Sequence, residues 1–343
     1  MPVKYWSFAG LMLTYWCNAR CDSCYLCCGP DRGEEMDVEA GLALWRGLIQ
    51  ASPGGCRVHI SGGEPFGDWR RLLELCRRAK AEGLGPLQAI ETNAYWACDE
   101  RTVRERLGAM DEAGMGKLCI SCDPYHQAFV PIERCRLAAA VGESVLGAVR
   151  VQVRWRDWLT EGFDTDGLDQ VQRAELFARY AARRRERLNG RAADMLARHL
   201  PRKGAVELAD SPCRESLLRS RHVHVDGQGR VMPGTCAGIL LGTVRGQSVA
   251  DLWRRLNEDH AGRGVVGVLA ERGPAGLLPS AQCLGFVPQE GYAGKCHLCW
   301  DVRRFLAARG LHAEELAPAW IYETQRAPAP RRAEGLDGKA CGR

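Results

Sequence analysis

Short apolar segments of strand length recur along the first two hundred residues, and helical patterns fill the gaps between them. From the second segment to the fifth the spacing is about thirty residues, the length of one strand, one crossover helix and the return. Alternating β and α units at this period predict an α/β fold with a parallel sheet. The predicted strands are residues 10–15, 57–61, 87–92, 117–121, 147–155 and 204–208, and the predicted helices are residues 38–50, 69–81, 100–113 and 132–141.

Six such strands predict a partial, TIM-like (β/α)6 barrel rather than a full barrel of eight strands. The chain has 343 residues, enough for about two domains, and its composition changes after residue 208. Cysteine, glycine and short strand signals follow: a hairpin at 222–225 and 230–232, and a helix at 248–257. We therefore expect a barrel over residues 1–209 and a small cysteine-rich α+β domain over residues 210–310.

Composition and net charge limit the classes of binding partner that we expect. Hydrophobic residues make up 46% of the chain, and 47 basic against 42 acidic residues leave a net charge of +5. This balance does not call for nucleic acid or a membrane as partner. No apolar run of about 18 residues and no secretory signal is found, so we expect a cytoplasmic protein. The tail at 326–343 is predicted to be disordered and its Cys341 to be a bystander.

An arginine-rich stretch at residues 170–200 admits two interpretations. It is either a nucleic-acid-binding helix or a solvated helix, or helix pair, broken at Asn189 and Gly190. We favour the solvated helix, which leaves an RNA-binding role as the third-ranked function.

The cysteine content is unusual, with seventeen cysteines in the chain. In a reducing compartment thiols bind metal more often than they form disulfides, and an odd number leaves one thiol over in any disulfide framework. Three of them, Cys17, Cys21 and Cys24, follow the first predicted strand with the spacing C-x3-C-x2-C. Iron-sulfur cubanes normally have four thiolate ligands, so three would leave one iron open to a substrate or cofactor that binds through amine and carboxylate.

Two other interpretations of this segment stay open. The three positions also share one face of a helix, where small cysteines pack into a core. Alternatively, Cys21, Cys24 and Cys27 have the ferredoxin-like spacing C-x2-C-x2-C, although Asp31 stands where a fourth cysteine is required. Cys27 and Cys28 have no assigned role.

A second motif, Ser61-Gly62-Gly63-Glu64-Pro65, follows the second predicted strand. Paired glycines let a ligand approach the backbone, and the Glu64 carboxylate offers an acceptor for an ammonium group. A tight turn that leads into a helix would explain the same residues without any function. In a parallel barrel, however, both motifs lie at the carboxyl ends of neighbouring strands, where such folds have their active sites.

With these two motifs the chain resembles the radical S-adenosylmethionine superfamily over about its first two hundred residues. Cys17, Cys21 and Cys24 resemble its cluster triad, and Gly62 to Pro65 resemble its GGEP motif. The resemblance implies a partial barrel that holds a 4Fe-4S cluster, whose open iron binds S-adenosyl-L-methionine. One-electron reduction then produces a 5′-deoxyadenosyl radical that abstracts a substrate hydrogen.

The resemblance also implies weaker positions at later strand ends. Thr92 and Asn93 resemble a polar pair at the third strand, and Ser121 and Asp123 resemble ribose-contacting residues at the fourth. Arg150 and Arg154 are candidates for binding the cofactor carboxylate. Tyr25 is the candidate for packing on adenine, because Ser23 stands where many members have an aromatic residue. His126 and Gln127 are candidates on the substrate side.

The second predicted domain has its own cysteines, which bracket the hairpin and the helix. Cys213, Cys236, Cys296 and Cys299 form a set suited to zinc or to an iron-sulfur cluster, with core packing as the alternative. Cys283 is the rival of Cys213. The arrangement resembles a twitch domain, a shortened SPASM domain, which implies a second, auxiliary 4Fe-4S cluster. The remaining cysteines are predicted to be small buried residues: Cys56, Cys76, Cys98, Cys119, Cys122 and Cys135.

The sequence thus predicts an oxidoreductase-type radical enzyme with a peptide or protein substrate, a preference that rests on the resemblance. Oxidation or dehydrogenation of a small molecule is the alternative. From another class, a non-catalytic iron-sulfur electron carrier or a zinc-stabilised binding protein is the rival. We expect an electron donor such as flavodoxin or ferredoxin as partner.

Overall fold

A computed structural model describes residues 2–184, 186–208 and 211–323. The predicted tail at 326–343, with Cys341, lies outside the described residues. The strands are β1 (Phe8–Thr14), β2 (Arg57–Gly62), β3 (Leu87–Thr92), β4 (Leu118–Ile120), β5 (Val151–Val153), β6 (His222–Asp226), β7 (Arg230–Pro233) and β8 (Gly242–Thr243). The helices are α1 (Val38–Ala51), α2 (Trp69–Ala81), α3 (Glu100–Glu112), α4 (Ile132–Leu146), α5 (Arg156–Glu161), α6 (Gln170–Arg183), α7 (Arg191–Met195), α8 (Arg214–Leu217), α9 (Val249–Asp259), α10 (Val266–Arg272), α11 (Leu278–Cys283) and α12 (Lys295–Ala307).

All eight strands belong to one sheet in the order β5-β4-β3-β2-β1-β6-β7-β8. The pairs from β5 to β6 are parallel, and β7 and β8 continue antiparallel to β6. From β1 to β5 each strand lies beside the one before it, with no reversal of direction. Right-handed crossovers then put the connecting helices on one side, which is the winding of an open, partial (β/α) barrel. The α/β fold class predicted from the sequence is confirmed.

The helices follow the same sequential order as the strands that they connect. Helix α1 packs against α2, α2 against α3, and α3 against α4, while α9 packs on the other side of α1. Side-chain caps start several of these helices, since Asp37 accepts from the Ala40 backbone and Asp99 accepts from the Thr102 backbone. Apolar residues are buried on both faces of β1, as expected of a central parallel strand covered on both sides.

The sixth predicted strand, at 204–208, is wrong. This segment contains a short 3-10 helix, Val206–Leu208, and Val206 is exposed. The sixth parallel strand is instead β6, the first strand of the predicted hairpin, which pairs with the free edge of β1. Its alternating His-Val-His-Val sequence suits a strand with two different faces. The sheet therefore runs without a break from the predicted barrel into the predicted second domain.

The arginine-rich stretch at 170–200 folds as α6, an irregular segment and α7, with the break near the predicted Asn189 and Gly190. The stretch is only partly solvated, because Asn189 and Arg191 are buried. Within the described residues, no helix combines the length and the apolar character that crossing a membrane requires.

Candidate active site

The predicted cysteine triad lies on a loop between the end of β1 and the start of α1. Cys17 and Cys21 are buried and Cys24 is half-buried, and all three line one cavity of about 140 Å³. The segment is not helical, so the interpretation as one face of a helix is wrong. The Ala19 backbone N–H donates to the Cys17 Sγ at 3.4 Å, and the Cys24 N–H donates to the Cys21 carbonyl at 3.0 Å. The loop therefore turns its sulfurs towards a common space.

The two glycines of the second motif fit β2 against the entrance of this loop. Gly62 has a φ of +122°, and a Cβ there would lie 2.4 Å from the Thr14 carbonyl oxygen. A Cβ on Gly63 would lie 1.9 Å from the Trp16 carbonyl oxygen. Because both positions lack a side chain, the Gly63 N–H reaches the Thr14 carbonyl at 2.7 Å. The two glycines thus allow the end of β2 to pack closely against the backbone at Thr14 and Trp16, and they also form part of the cavity edge.

Glu64 has a different position from the one predicted. Its side chain is fully buried, and its carboxylate accepts from the Thr92 hydroxyl at 2.8 Å and from the Asn93 backbone N–H at 2.7 Å. It also accepts from the Phe66 N–H at 3.1 Å. Burial raises the pKa of Glu64 to about 7. The carboxylate ties the end of β2 to the end of β3, so it is not presented to an ammonium group, whereas Gly62, Gly63 and Pro65 do line the cavity.

Three of the weaker candidates lie in the cavity wall: Asn93, Ser121 and Arg154. The Asn93 Nδ2 donates to the Asn18 Oδ1 at 2.8 Å and approaches the Cys17 Sγ at 3.6 Å. The Ser121 backbone N–H donates to the Thr92 carbonyl at 2.8 Å. The Asn93 contacts bring the end of β3 against the cysteine loop, and the Ser121 contact joins the end of β4 to β3.

Arg154 follows β5 directly and its guanidinium is held in place. Its Nη2 donates to both carboxylate oxygens of Glu186, at 2.5 and 2.6 Å, and its Nη1 lies 3.8 Å from the Asp123 Oδ2. Arg150 does not reach the cavity, because its side chain binds Asp111 and the Gly116 carbonyl. The candidate role of Arg150 is therefore wrong.

Asp123 is fully buried behind the cavity wall rather than in it. One oxygen accepts from the backbone N–H groups of Tyr125 and His126, and the other lies 2.8 Å from the His126 Nδ1. The prediction of a direct cofactor contact for Asp123 does not fit this position. Gln127 is also fully buried, where its side-chain oxygen accepts from the Asp123 N–H and the Trp158 indole.

His126 is the residue that lines the cavity in front of Asp123. Burial alone would lower the pKa of His126, but the Asp123 carboxylate and the Cys21 thiol raise it well above its usual range. The His126 imidazolium thus places a positive charge beside the Cys21 sulfur at the wall of the cavity. His126 was predicted only on the substrate side, whereas its side chain contacts Cys21 of the cysteine loop.

Arg191 is a site residue that the sequence analysis missed. It begins α7, is buried, and donates from its Nε to the Cys21 carbonyl at 3.0 Å and from its Nη2 to the Cys28 carbonyl at 2.6 Å. Its backbone N–H donates to the Cys24 carbonyl at 3.1 Å. Gly190 permits this approach, because a Cβ there would lie 2.5 Å from the Tyr25 carbonyl oxygen. One arginine thus holds three cysteine carbonyls of the loop.

Of the two unassigned cysteines, only Cys28 faces the cavity. Its hydrogen bond with Cys24 holds the pKa of the Cys24 thiol well below its usual range and raises the pKa of Cys28. Cys27 has a φ of +57° and points to the Ile321 carbonyl, 3.6 Å away. The ferredoxin-like set Cys21, Cys24 and Cys27 is therefore wrong, because its last thiol faces away from the other two.

A second cavity of about 380 Å³ adjoins the first and shares part of its wall, including Ser23, Tyr25 and Arg154. The Arg187 guanidinium carbon lies 5.1 Å from the centroid of the Tyr25 ring. Glu91 and Ser121 also belong to both cavities. The triad cavity thus continues into a polar space that is large enough for part of a further ligand.

The predicted second cysteine set comes together around α12. Burial and the neighbouring Cys299 thiol raise the pKa of Cys213 to about 12 and that of Cys296 to about 11. Cys236 is raised in the same way. Cys283 is exposed at the end of α11. The mutual influence of the first four thiols supports Cys213 over Cys283 as a member of the set.

Arg303 is fully buried beside this second set. Its Nε donates to the Cys299 Sγ at 3.3 Å, and its Nη2 donates to the Asn189 Oδ1 at 2.8 Å. Its Nη1 donates to the Ala237 carbonyl at 3.0 Å and to the Tyr322 hydroxyl at 2.6 Å. This guanidinium therefore binds the Cys299 sulfur and connects the second set to the α6–α7 segment.

The spacing of the sulfurs bears on the choice between zinc and a larger cluster. Among the described residues, the groups of three or more metal-binding side chains whose ligand atoms lie within 4.8 Å of one another contain histidine and no cysteine. Thiolates on a single zinc ion lie about 3.8 Å apart, given a Zn–S distance of about 2.3 Å. Both cysteine sets are therefore wider than a single zinc ion requires.

Most of the scattered cysteines are buried as predicted, namely Cys56, Cys76, Cys122 and Cys135. Cys119 is an exception, because it lies in the wall of the second cavity. Cys98 is partly buried.

The fold and the site together define an α/β chain with a three-thiol loop at the carboxyl edge of a singly wound parallel sheet. No family model matches the chain, and a search of curated proteins finds no match. Solved structures with some similarity exist. BtrN in complex with AdoMet and 2-DOIA has 17% identity and a TM-score of 0.45, covering 76% of this chain and 90% of that one.

Two further structures are similar at the same low level. Native anSMEcpe with bound AdoMet and the Cp18Cys peptide has 13% identity and a TM-score of 0.43, covering 88% of this chain and 97% of that one. SuiB of Streptococcus suis bound to S-adenosylmethionine has 13% identity and a TM-score of 0.31, covering 93% and 77%. Because these values are low, the function is inferred below from the residues of this chain.

Proposed function

We propose that this chain is a radical S-adenosylmethionine enzyme with a 4Fe-4S cluster at Cys17, Cys21 and Cys24. The observation that carries the proposal is the composition of one cavity. It combines the three thiols with Gly62 and Gly63 at the end of β2, Asn93 after β3 and Arg154 after β5. An electron carrier does not need polar groups from several strand ends beside its thiolates, whereas a cluster with a second ligand does.

The residues fit the cofactors that the proposal requires. The three sulfurs line one cavity, and His126 and Arg191 supply positive charge around them. The glycine pair leaves the backbone at the cavity edge uncovered, and Arg154 is the candidate for the methionine carboxylate. When bound, the cluster and S-adenosyl-L-methionine supply an electron and a 5′-deoxyadenosyl radical that removes a substrate hydrogen.

The chain itself contributes positioning and exclusion of water. Arg191 holds the loop carbonyls so that the thiols stay directed into the cavity, and Glu64 holds the ends of β2 and β3 together. Tyr25 stands between the two cavities with one face towards Arg187, where it is a candidate for packing on an adenine ring. The Glu186 carboxylate fixes the direction of Arg154. Such fixed geometry is what a radical reaction needs from its protein.

We further propose that Cys213, Cys236, Cys296 and Cys299 hold an auxiliary 4Fe-4S cluster, in a region over residues 210–310 that serves as its domain. The closeness of the four thiols and the buried Arg303 support it. Four thiolates leave no open iron, so this cluster would suit electron transfer rather than chemistry on a ligand. Flavodoxin or ferredoxin is the expected donor of electrons, and the expected compartment is the cytoplasm.

The proposal also concerns the class of substrate. A peptide or protein is our first candidate, and oxidation of a small molecule is the alternative. The second cavity, of about 380 Å³, is polar and carries both Glu91 and Arg187, so it suits one polar side chain or one small polar molecule. Fractions of a cell extract separated by ultrafiltration at a few kilodaltons would be tested for faster 5′-deoxyadenosine production. Stimulation by the retained fraction supports a peptide or protein, and stimulation by the filtrate supports a small molecule.

One observation favours a second function, that of a non-catalytic electron carrier. Cys28 lines the triad cavity and forms a hydrogen bond with Cys24, so it is a candidate fourth thiolate. With Cys28 bound, the first cluster would have no open iron. Replacing Cys28 by serine separates the two functions: the enzyme keeps its iron and its cleavage of S-adenosylmethionine, whereas the carrier loses its first cluster.

The main test is anaerobic reconstitution followed by measurement of iron, sulfide and 5′-deoxyadenosine after addition of dithionite and S-adenosylmethionine. We expect the wild type to produce 5′-deoxyadenosine. The triple variant Cys17→Ala, Cys21→Ala, Cys24→Ala is expected to keep about half of the iron and to produce none.

The control is Cys76→Ala, which removes a buried thiol on α2 far from both sets and is expected to keep full activity. A wild type that binds iron fully but never cleaves S-adenosylmethionine would contradict the proposed reaction and leave the electron carrier as the function.

A further inference from the structure

Three histidines meet inside the sheet, away from both cysteine sets. His59 lies on β2, and His222 and His224 lie on β6, the two strands that flank β1. One ring nitrogen of each lies within 4.8 Å of those of the other two, and His59 and His224 are buried. We call this group the histidine triad. Nothing in the proposed radical chemistry uses it.

Glycine at one position of β1 makes this convergence possible. Gly10 pairs with His59 on one side and with His224 on the other. A Cβ on Gly10 would lie 2.2 Å from the His224 Cδ2 and 2.5 Å from the His59 Nε2. The two imidazoles therefore occupy the space that a side chain of β1 would take, and they are brought together across a central strand.

Two of the ring nitrogens have the separation expected of two ligands bound to one ion. The His59 Nε2 lies 3.0 Å from the His222 Nε2. Two nitrogens bound to one ion at about 2.0–2.1 Å lie about 2.9–3.4 Å apart for bond angles near 90–110°. The His224 ring contacts both other rings, with its centroid 5.5 Å from that of His59 and 4.7 Å from that of His222, so one of its nitrogens can reach the same ion.

A carboxylate orients one of the rings from behind. The His59 Nδ1 lies 3.3 Å from the Glu91 Oε1, which places the proton of His59 on Nδ1 and leaves the lone pair on Nε2, towards the triad. This carboxylate–histidine relation is the usual second contact of a metal-bound histidine. Phe8 covers the other side, with its ring centroid 4.8 Å from that of His59 and 4.6 Å from that of His222.

From this geometry we propose that the histidine triad binds a divalent first-row transition-metal ion, with zinc as the reference ion. Three imidazole nitrogens select such an ion over magnesium or calcium, which prefer oxygen ligands. The site is separate from both cysteine sets and would join β2 to β6 across β1. Glu91 also lines both cavities of the candidate active site, so a bound ion lies one side chain away from the proposed substrate space.

The test uses the full chain with both cysteine sets already filled by anaerobic reconstitution, so that thiols do not compete. Zinc chloride is added, unbound metal is removed by desalting, and zinc and iron are measured together. We expect one zinc per chain in the wild type and none in His222→Gln. His260→Gln, a partly buried histidine at the end of α9, and His312→Gln, in a second group with Glu314 and Glu315, serve as matched controls and are expected to keep the zinc.

A second measurement uses the wild type and therefore does not require any variant to fold. Zinc-edge X-ray absorption of the wild type is expected to show nitrogen and oxygen ligands at about 2.0–2.1 Å and no sulfur near 2.3 Å. Glu91→Gln keeps the shape of the side chain and is expected to weaken zinc binding about ten- to hundredfold. A sulfur shell, equal zinc in wild type and His222→Gln, or no zinc at all would overturn the proposal and leave the triad as a hydrogen-bonded packing layer. None of these readouts requires cleavage of S-adenosylmethionine, so the radical proposal stands or falls separately.

Discussion

The two cysteine sets of this chain are assembled in different ways. The first lies on one continuous loop after β1, and its conformation is held by backbone contacts with Gly63 and by Arg191. The second draws its thiols from separate segments, and Arg303 lies among them. The first set faces a cavity that also receives polar residues from neighbouring strands, whereas Cys296 of the second set is exposed and Cys299 is buried against the core.

The difference indicates two roles for a metal cluster. A loop that is already shaped by the sheet can hold a cluster and still leave one side open to a ligand. Cysteines from distant segments are held together by the bound metal and by side chains such as Arg303. The free energy of metal binding there therefore also stabilises the fold. We therefore expect changes at the first set to affect the reaction as well as stability, and the largest losses of stability to come from changes at the second set.

Replacing Arg303 by methionine is expected to have the largest effect on stability. The change removes a buried guanidinium that serves Cys299, the Ala237 carbonyl, the Tyr322 hydroxyl and Asn189. Buried acceptors without a donor cost about 1–3 kcal/mol each, so we expect the free energy of unfolding to fall by about 3–5 kcal/mol. Urea unfolding of reconstituted protein under anaerobic conditions measures it.

The control for this variant is Arg309→Met, since Arg309 is exposed just after the same helix and lies over the Phe305 ring. Its expected effect is within about 0.5 kcal/mol. Equal unfolding midpoints for the two variants would show that the second set does not depend on its buried arginine, and the contrast between the two sets would lose its main support.

Replacing Arg191 by methionine is expected to damage the first set alone. The variant loses the donors to the Cys21 and Cys28 carbonyls, which are buried, and we expect a loss of about 2–4 kcal/mol in the free energy of unfolding. Because the loop loses its shape, iron bound by the first set is expected to fall while iron bound by the second set stays. When Arg191→Met is added to the triple variant Cys17→Ala, Cys21→Ala, Cys24→Ala, we expect no further loss of iron per chain. A further loss there would mean that Arg191 supports both sets.

The β/α order of the sheet was predictable because buried parallel strands have a simple signal, a short apolar run followed by a helix of fixed reach. The grouping of Cys17, Cys21 and Cys24 on one loop was predictable from their spacing, since the three residues are close along the chain. Arg191 was not, because it lies far along the chain and reaches the loop only after α6 and α7 have folded. Its arginine-rich surroundings resemble a solvated helix face.

Acidic residues at strand ends were the least predictable part of the site. Glu64 and Asp123 lie within three residues of the ends of β2 and β4, as a ligand-binding carboxylate would. Both instead accept hydrogen bonds from neighbouring backbone N–H groups and are fully buried. Sequence position fixes where such a side chain begins, whereas its direction depends on which donors the next strand brings close. The histidine triad was missed for a related reason, since His59 and β6 meet only through the sheet.

Replacing Gly63 by alanine tests how strongly β2 shapes the first set. The new Cβ would meet the Trp16 carbonyl oxygen at 1.9 Å, and the backbone there cannot move without shifting Cys17. We expect a loss of about 1–3 kcal/mol in the free energy of unfolding, together with weaker binding of S-adenosylmethionine measured by equilibrium dialysis. The control is Gly54→Ala, because nothing lies within 4 Å of a Cβ there. If both variants bind the cofactor equally well, the loop has its shape without support from β2.

Cys283→Ser is expected to have the smallest effect on iron content and stability, and this result would decide between Cys213 and Cys283 as the ligand. Cys283 is exposed at the end of α11, whereas the Cys213 thiol is close enough to Cys236, Cys296 and Cys299 for them to raise its pKa. If Cys213 is the ligand, Cys283→Ser changes neither the iron content nor, within about 0.5 kcal/mol, the free energy of unfolding. Cys213→Ser, the matched change in the same region, is then expected to lose the iron of the second set and about 2–4 kcal/mol, because a metal-held set contributes directly to folding. If iron were lost only from Cys283→Ser, Cys283 would be the ligand, and the end of α11 would have to move towards α12 when metal binds.

The second set would then depend on its metal for its shape even more strongly than proposed, and its contrast with the preformed loop after β1 would increase.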